Sequence, residues 1–157
     1  MAKLEYIEIA ENYSANFLEA FRQYASVPDD SRDALLLAML KASVLKVQEF
    51  ADRALVECTV RQTGIVPESG RFQLYLGGGE VISISAPSSP FSPSYDTLAG
   101  NLLRVSPTET EVQVVFKVTP KMEDMVRLQP TLFRYATALY DGEDTDVLNR
   151  ILLEVLC

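Results

Sequence analysis

Residues 32–54 contain neither Gly nor Pro, and immediately afterwards the apolar period changes from helical to two. This switch constrains the fold more than any other feature. Leu36, Met39, Leu40, Ser43, Val44, Val47, Phe50 and Ala51 make a broad stripe at helical spacing, with Lys41, Lys46, Gln48, Glu49 and Asp52 on the wet side. Asp30 or Ser31 is the expected N-cap, and Asp33 suits the first turn. From Leu55, residues 55, 57, 59 and 61 alternate with Val56, Cys58 and Val60, a strand that ends at Gly64. A long amphipathic helix feeding straight into a half-buried strand sets an order of helices, then sheet, then helices, in one domain.

The flanking segments fill in that plan. Residues 1–27 read as helical, with Phe17, Phe21 and Tyr24 at i, i+4, i+7. Three further strands are expected: Phe72–Leu76, Glu80–Ala86 and Val112–Val118, with a short one at Leu102–Val105 that forms a hairpin with the last. Residues 86–95 hold three prolines and four serines and read as a long exposed loop. Helix returns at Met122–Leu128, again from Pro130 at a helix start to Tyr140, and after Asp141-Gly142 in a last helix capped by Thr145. Its buried side is Val147, Leu148, Ile151, Leu152 and Val155. The expected fold is α+β, one domain with helices flanking a small, mostly antiparallel sheet. Residues 1–28 form its N-terminal helical segment and residues 29–157 the α+β body.

Charge and missing residues narrow the function. The chain has 22 acidic and 14 basic side chains, a net charge of −8, and the basic residues are scattered. A nucleic-acid binder carries a basic face, so gripping DNA or RNA is disfavoured; an acidic protein can still lie beside DNA without sticking. Histidine is absent, which removes Ser-His-Asp and Cys-His catalysis and His-ligated metals. Cys58 sits in an alternating apolar stretch and reads as a small core residue, and Cys157 is the last residue. Two such thiols make neither a metal motif nor a disulfide framework. No apolar run approaches the roughly 18 residues of a membrane span, and Met1–Tyr6 has no signal-peptide pattern, so the expected compartment is cytoplasmic.

Four groupings invite chemistry. Gly77-Gly78-Gly79 lacks a following Lys-Ser/Thr and lies between strands, so a hairpin turn is expected rather than a phosphate loop. Asp141–Asp146 is rich in carboxylates but does not follow calcium-loop spacing, since Leu152 stands where the bidentate Glu belongs. Glu109 with Glu111, and Glu123 with Asp124, fall in polar turn segments and read as solvated charge. Phe91 and Tyr95 are large rings on the Pro/Ser loop. Either they tuck back onto the domain or they are anchors for another chain. No catalytic, cofactor-binding or metal-binding residue is assigned.

The order of elements resembles the head–tail connector (adaptor) proteins of long-tailed bacteriophages and prophages. The resemblance spans about residues 30–156. It is carried by Lys41–Val44 and Val47–Leu55 at the helix-to-strand junction, Leu74–Ile84, Val112–Val118, and the Pro130–Tyr140 helix with its aromatic pair. It implies a non-enzymatic structural protein without cofactors. Such a protein forms or joins a ring of about a dozen subunits, neighbours meeting head to tail by a rotation that closes. The implied partners are copies of itself, the portal protein above and the tail-completion protein below. DNA passes through the middle without sequence-specific binding, and no membrane is involved. The implied location is the head–tail junction of the virion, after assembly in the cytoplasm of the bacterial host. Phe91 and Tyr95 are then the expected interface residues. Two rival readings are another phage-morphogenesis or intracellular protein-binding module, and a His-free hydrolase using carboxylates.

Overall fold

A computed structural model describes residues 3–9, 13–27 and 31–154. Among the described residues the architecture is α+β, with four helices and two antiparallel sheets. The chain divides into two units, Met1–Ile9 with Glu57–Thr119 and Ala10–Val56 with Pro120–Cys157.

The first unit carries the seven strands found among the described residues. They are β1 (Lys3–Ile9), β2 (Cys58–Ile65), β3 (Arg71–Gln73), β4 (Glu80–Ser85), β5 (Ser94–Ala99), β6 (Leu102–Ser106) and β7 (Glu111–Val118). The larger sheet has the order β1-β2-β7-β4 and the smaller β3-β6-β5. The alternation in β2 and β7 puts Cys58, Val60, Val112, Val114, Phe116 and Val118 on a buried face, while Arg61, Thr63 and Val115 lie less deep. Arg61 pairs with Glu5 across the β1–β2 ladder at 3.7 Å. Gln62 is buried on the apolar face with both ends of its amide used. Its Nε2 donates to the Gln73 carbonyl at 2.8 Å, and its Oε1 accepts from the Tyr75 N–H at 2.9 Å. One side chain thereby ties β2 to the segment leaving β3.

Several sequence expectations change here. Lys3–Ile9 is a strand, not the start of a helix. Leu4 and Tyr6 fit period two while Leu4 and Ile7 fit a helical turn, and pairing with β2 decides between them. β3 stops at Gln73, and Gly77–Gly79 is not a hairpin turn, because β3 and β4 belong to different sheets. Leu76, Gly77 and Gly78 all have positive φ and swing the chain from one sheet to the other. Gly79 lies so close to β7 that an added Cβ would stand 1.8 Å from the Lys117 carbonyl oxygen. β6 and β7 are likewise in separate sheets rather than one hairpin. The irregular loop ends at Pro93, and Ser94–Ala99 is a strand paired with β6.

The second unit is helical, with α1 (Tyr13–Tyr24), α2 (Asp33–Ala51), α3 (Met122–Tyr140) and α4 (Thr145–Leu153). The predicted aromatic stripe of α1 converges on one ring. Phe17, Phe21 and Tyr24 stand 6.5, 5.7 and 5.7 Å from Phe133 of α3, centroid to centroid. Fully burying a ring such as Phe21 is worth about 1.5–3 kcal/mol. Arg22 clasps Asp33 with three contacts of 2.6–3.1 Å, fixing α1 against the start of α2. Arg32 donates to the Tyr140 hydroxyl, and Arg134 pairs with Glu154.

The helical expectations are also adjusted. The N-cap of α2 is Arg32, which makes no side-chain cap bond, rather than Ser31; Asp30 lies outside the described residues. The helix ends at Asp52, whose φ of 54° is left-handed, before reaching Ala54. Gln48 is buried, not wet. Its Oε1 accepts from the Leu55 and Val56 N–H groups at 2.8 and 3.1 Å, because residues 54–56 fold back over that side of the helix. Phe50, expected in the buried stripe, is exposed. α3 runs unbroken through Pro130, which is interior rather than first. Buried Leu128 and Leu132 on either side hold the helix together across the missing N–H. Asp144, not Thr145, caps α4, with its carboxylate accepting from the Val147 N–H at 3.1 Å. Ile151 and Leu152 are buried, Val147 and Leu148 half-buried, and Val155 lies outside the described residues.

Candidate functional site

The groups singled out for chemistry fall into structural places. Cys58 is buried on the first strand of the central pair, and desolvation pushes its thiol up to about 11, away from the reactive thiolate. Cys157 lies outside the described residues. Asp144 of the acidic turn is occupied as a helix cap. Asp124 stands between Arg53 and Arg127 at 3.9 and 3.7 Å, apart from exposed Glu123. Glu109 and Glu111 are both exposed around the turn into β7. Among the described residues, no three His, Cys, Asp or Glu side chains gather as metal ligands. Among the same residues, no helix is long and apolar enough to cross a membrane.

A groove of about 440 Å³ lies on the helical unit, with Lys46, Glu49 and Phe50 of α2 on one wall and Leu148 and Leu152 of α4 on the other. Tyr135 of α3 lines it as well, and burial raises its phenol above the ordinary value. The lining mixes Phe50, Leu148 and Leu152 with Thr145, Asn149 and one ion of each sign.

The structure separates the two predicted interface rings. Phe91 is 72% exposed on the loop between β4 and β5, where its N–H is held by the Ser89 hydroxyl at 3.2 Å. It does not tuck back. Tyr95 is on β5 opposite Val105 and is 39% exposed. Every residue of β5 is exposed, so this strand carries the small sheet out into water.

Three exposed apolar residues were not visible in the sequence pattern. Each sits where the ladder register shifts: Ile7 in β1, Ile82 in β4 and Leu98 in β5. These β-bulges all fall on edge strands, where an extra residue is turned out of the pairing. The signal in the sequence is two consecutive apolar residues, as in Tyr6-Ile7 and Val81-Ile82, inside an otherwise alternating strand.

Fold and surface together define an α+β chain whose exposed apolar side chains include those on sheet edges, at the end of β2 (Ile65), on α3 (Met122, Val126) and on a loop rich in Pro and Ser. Solved structures share that fold over nearly the full length. The chain is similar to one in the neck of an empty gene transfer agent (GTA) particle computed with C6 symmetry, with TM-score 0.66 and 14% identity over 98% of this chain and 94% of that one. It is similar to a chain of the native gene transfer agent virion, with TM-score 0.64 and 16% identity over 88% and 84%. A third is in the neck of the native particle computed with C12 symmetry, with TM-score 0.59 and 15% identity over 98% and 94%. At these identities the likeness is one of fold. No protein-family model and no curated protein matches the sequence.

Proposed function

We propose that this chain is a structural protein of the head–tail junction of a phage or phage-like particle, an adaptor that forms or joins a ring beneath the portal. The observation that carries the reading is the whole-length likeness to chains of particle necks, 98% of this chain against 94% of the other. Those necks were computed with C6 and C12 symmetry, which supports a closed ring of copies for this chain. Its neighbours in the particle are the portal protein and the tail-completion protein, and the double helix runs through the opening. The role needs no chemistry. A net charge of −8 suits a wall past which DNA slides without being gripped. The site of action is the virion neck, reached after assembly in the host cytoplasm.

The test is the mass of the purified chain by light scattering across a wide concentration range, with negative-stain images of the largest species. A closed ring with sixfold or twelvefold symmetry is expected. A chain that stays monomeric at every concentration, and also fails to join portal rings on mixing, would leave a plain protein-binding module as the better description.

A further inference from the structure

We propose that neighbouring copies in the ring meet edge to edge across the larger sheet, the β1 edge of one copy carrying Ile7 against the β4 edge of the next carrying Ile82. This rests on the ring reading above and adds to it the surface and the occupant, a second copy of this chain.

A head-to-tail ring needs two different, complementary surfaces on opposite sides of the subunit. The larger sheet supplies two. In the order β1-β2-β7-β4, β1 and β4 are its outer strands among the described residues, about 14 Å apart at the usual strand spacing. Each edge has one register shift, and each shift turns out one isoleucine, 49% exposed at Ile7 and 57% at Ile82. The two shifts flank one row of the sheet, one on either side of it. Tyr6 pairs with Val60, Val60 with Phe116, and Phe116 with Val81, so these four residues form one row across all four strands. Ile7 directly follows the first member of the row and Ile82 directly follows the last. Because three antiparallel pairings set β1 and β4 in opposite directions, the two knobs stand one residue to either side of the row, and a neighbour must be offset by about two residues along the strand to bring them together.

The choice of residue is the telling point. A bulge on an edge strand blunts the ladder and discourages open-ended strand pairing, and charged or polar residues do this best. Here both bulges hold isoleucine, which gains only when it is covered. The bulges interrupt continuous hydrogen-bonded pairing, so the contact is one of side chains, and the rotation between neighbours closes the ring. Phe91, on the loop that leaves β4, widens the apolar area on that side.

The experiment compares Ile7→Glu, Ile82→Lys and the double variant with the unaltered chain, by light scattering at matched concentrations. Circular dichroism and urea midpoints confirm folding; where a charged variant fails to fold, the Ser variant at the same position replaces it. Each single variant should need about tenfold or more higher concentration to form rings. The double variant, which sets Glu against Lys at the same contact, should recover most of the loss. Rings in the unaltered chain and undiminished rings in both folded single variants would overturn this interface and leave the ring reading standing. Loss in the single variants without recovery in the double would overturn the pairing of these two edges. No ring in the unaltered chain, alone or with portal, would overturn the ring reading itself and this interface with it.

Discussion

At the scale of single residues, two buried polar groups show how sequence and environment part company. Cys58 is one cysteine in an alternating strand, and its role as a small core residue was legible from that alternation. Burial adds a pH dependence that the pattern does not show. The folded thiol titrates near 11 against an ordinary 9.0, so the folded chain keeps its proton while the unfolded chain releases it. Stability is therefore full below pH 9 and declines from there toward pH 11, by at most about 1.4 kcal/mol per pH unit. Urea unfolding at pH 8 and pH 10 in a Cys157→Ser background should show this decline, and Cys58→Ala should remove it. A decline that persists in Cys58→Ala would assign the effect to other groups. Gln62 was legible only in direction, since period two continues the face of Val56, Cys58 and Val60, while the partners that hold it there were not. It looks like any polar residue of an alternating strand, yet it faces the core, because the backbone groups of Gln73 and Tyr75 are there to be satisfied.

At the scale of elements, the helix-to-strand switch near residue 55 and the long helices follow directly from hydrophobic period. What period leaves open is which strand pairs with which. Phe72–Leu76 and Glu80–Ala86, joined by three glycines, have every local mark of a hairpin, and only the positive φ values at residues 76–78 show the chain leaving one sheet for the other. Lys3–Ile9 fits two periods at once, and its partner β2 lies some fifty residues away in sequence. Pro130 looks like a helix start because its local cost is real, about 3 kcal/mol in a helix interior, while the compensating burial of Leu128 and Leu132 is tertiary. The close approach at Gly79 gives a direct test. Gly79→Ala puts a methyl into the Lys117 carbonyl on the strand that pairs with both β2 and β4. It should cost about 3 kcal/mol, the upper end for overpacking. Gly142→Ala, where φ is +73° but the space is open, should cost only the left-handed penalty of about 1–2 kcal/mol. Equal urea midpoints for the two variants would show that β4 can shift away from β7 at little cost.

At the scale of the whole molecule, the question is which exposed apolar residues are spare and which are reserved for another copy. Isolated surface apolar residues are ordinary, so exposure alone decides nothing. Phe91 differs in kind. Its loop is stiffened by Pro87, Pro90 and Pro93, so presenting the ring to a partner loses little conformational freedom. Tyr95 is less exposed, 39% against 72%, and stands opposite buried Val105 in the β5–β6 ladder. The two rings should therefore separate when each is replaced. Phe91→Ser should leave the urea midpoint within about 0.5 kcal/mol of the unaltered chain, as a surface change does, while weakening ring formation. Tyr95→Ser should lower stability by about 1 kcal/mol as β5 loses its cross-strand contact, whatever it does to assembly. Measuring midpoint and ring mass together for both variants sorts packing from contact. Undiminished assembly in folded Phe91→Ser would remove the loop from the interface and leave the two edges of the larger sheet to carry the ring alone.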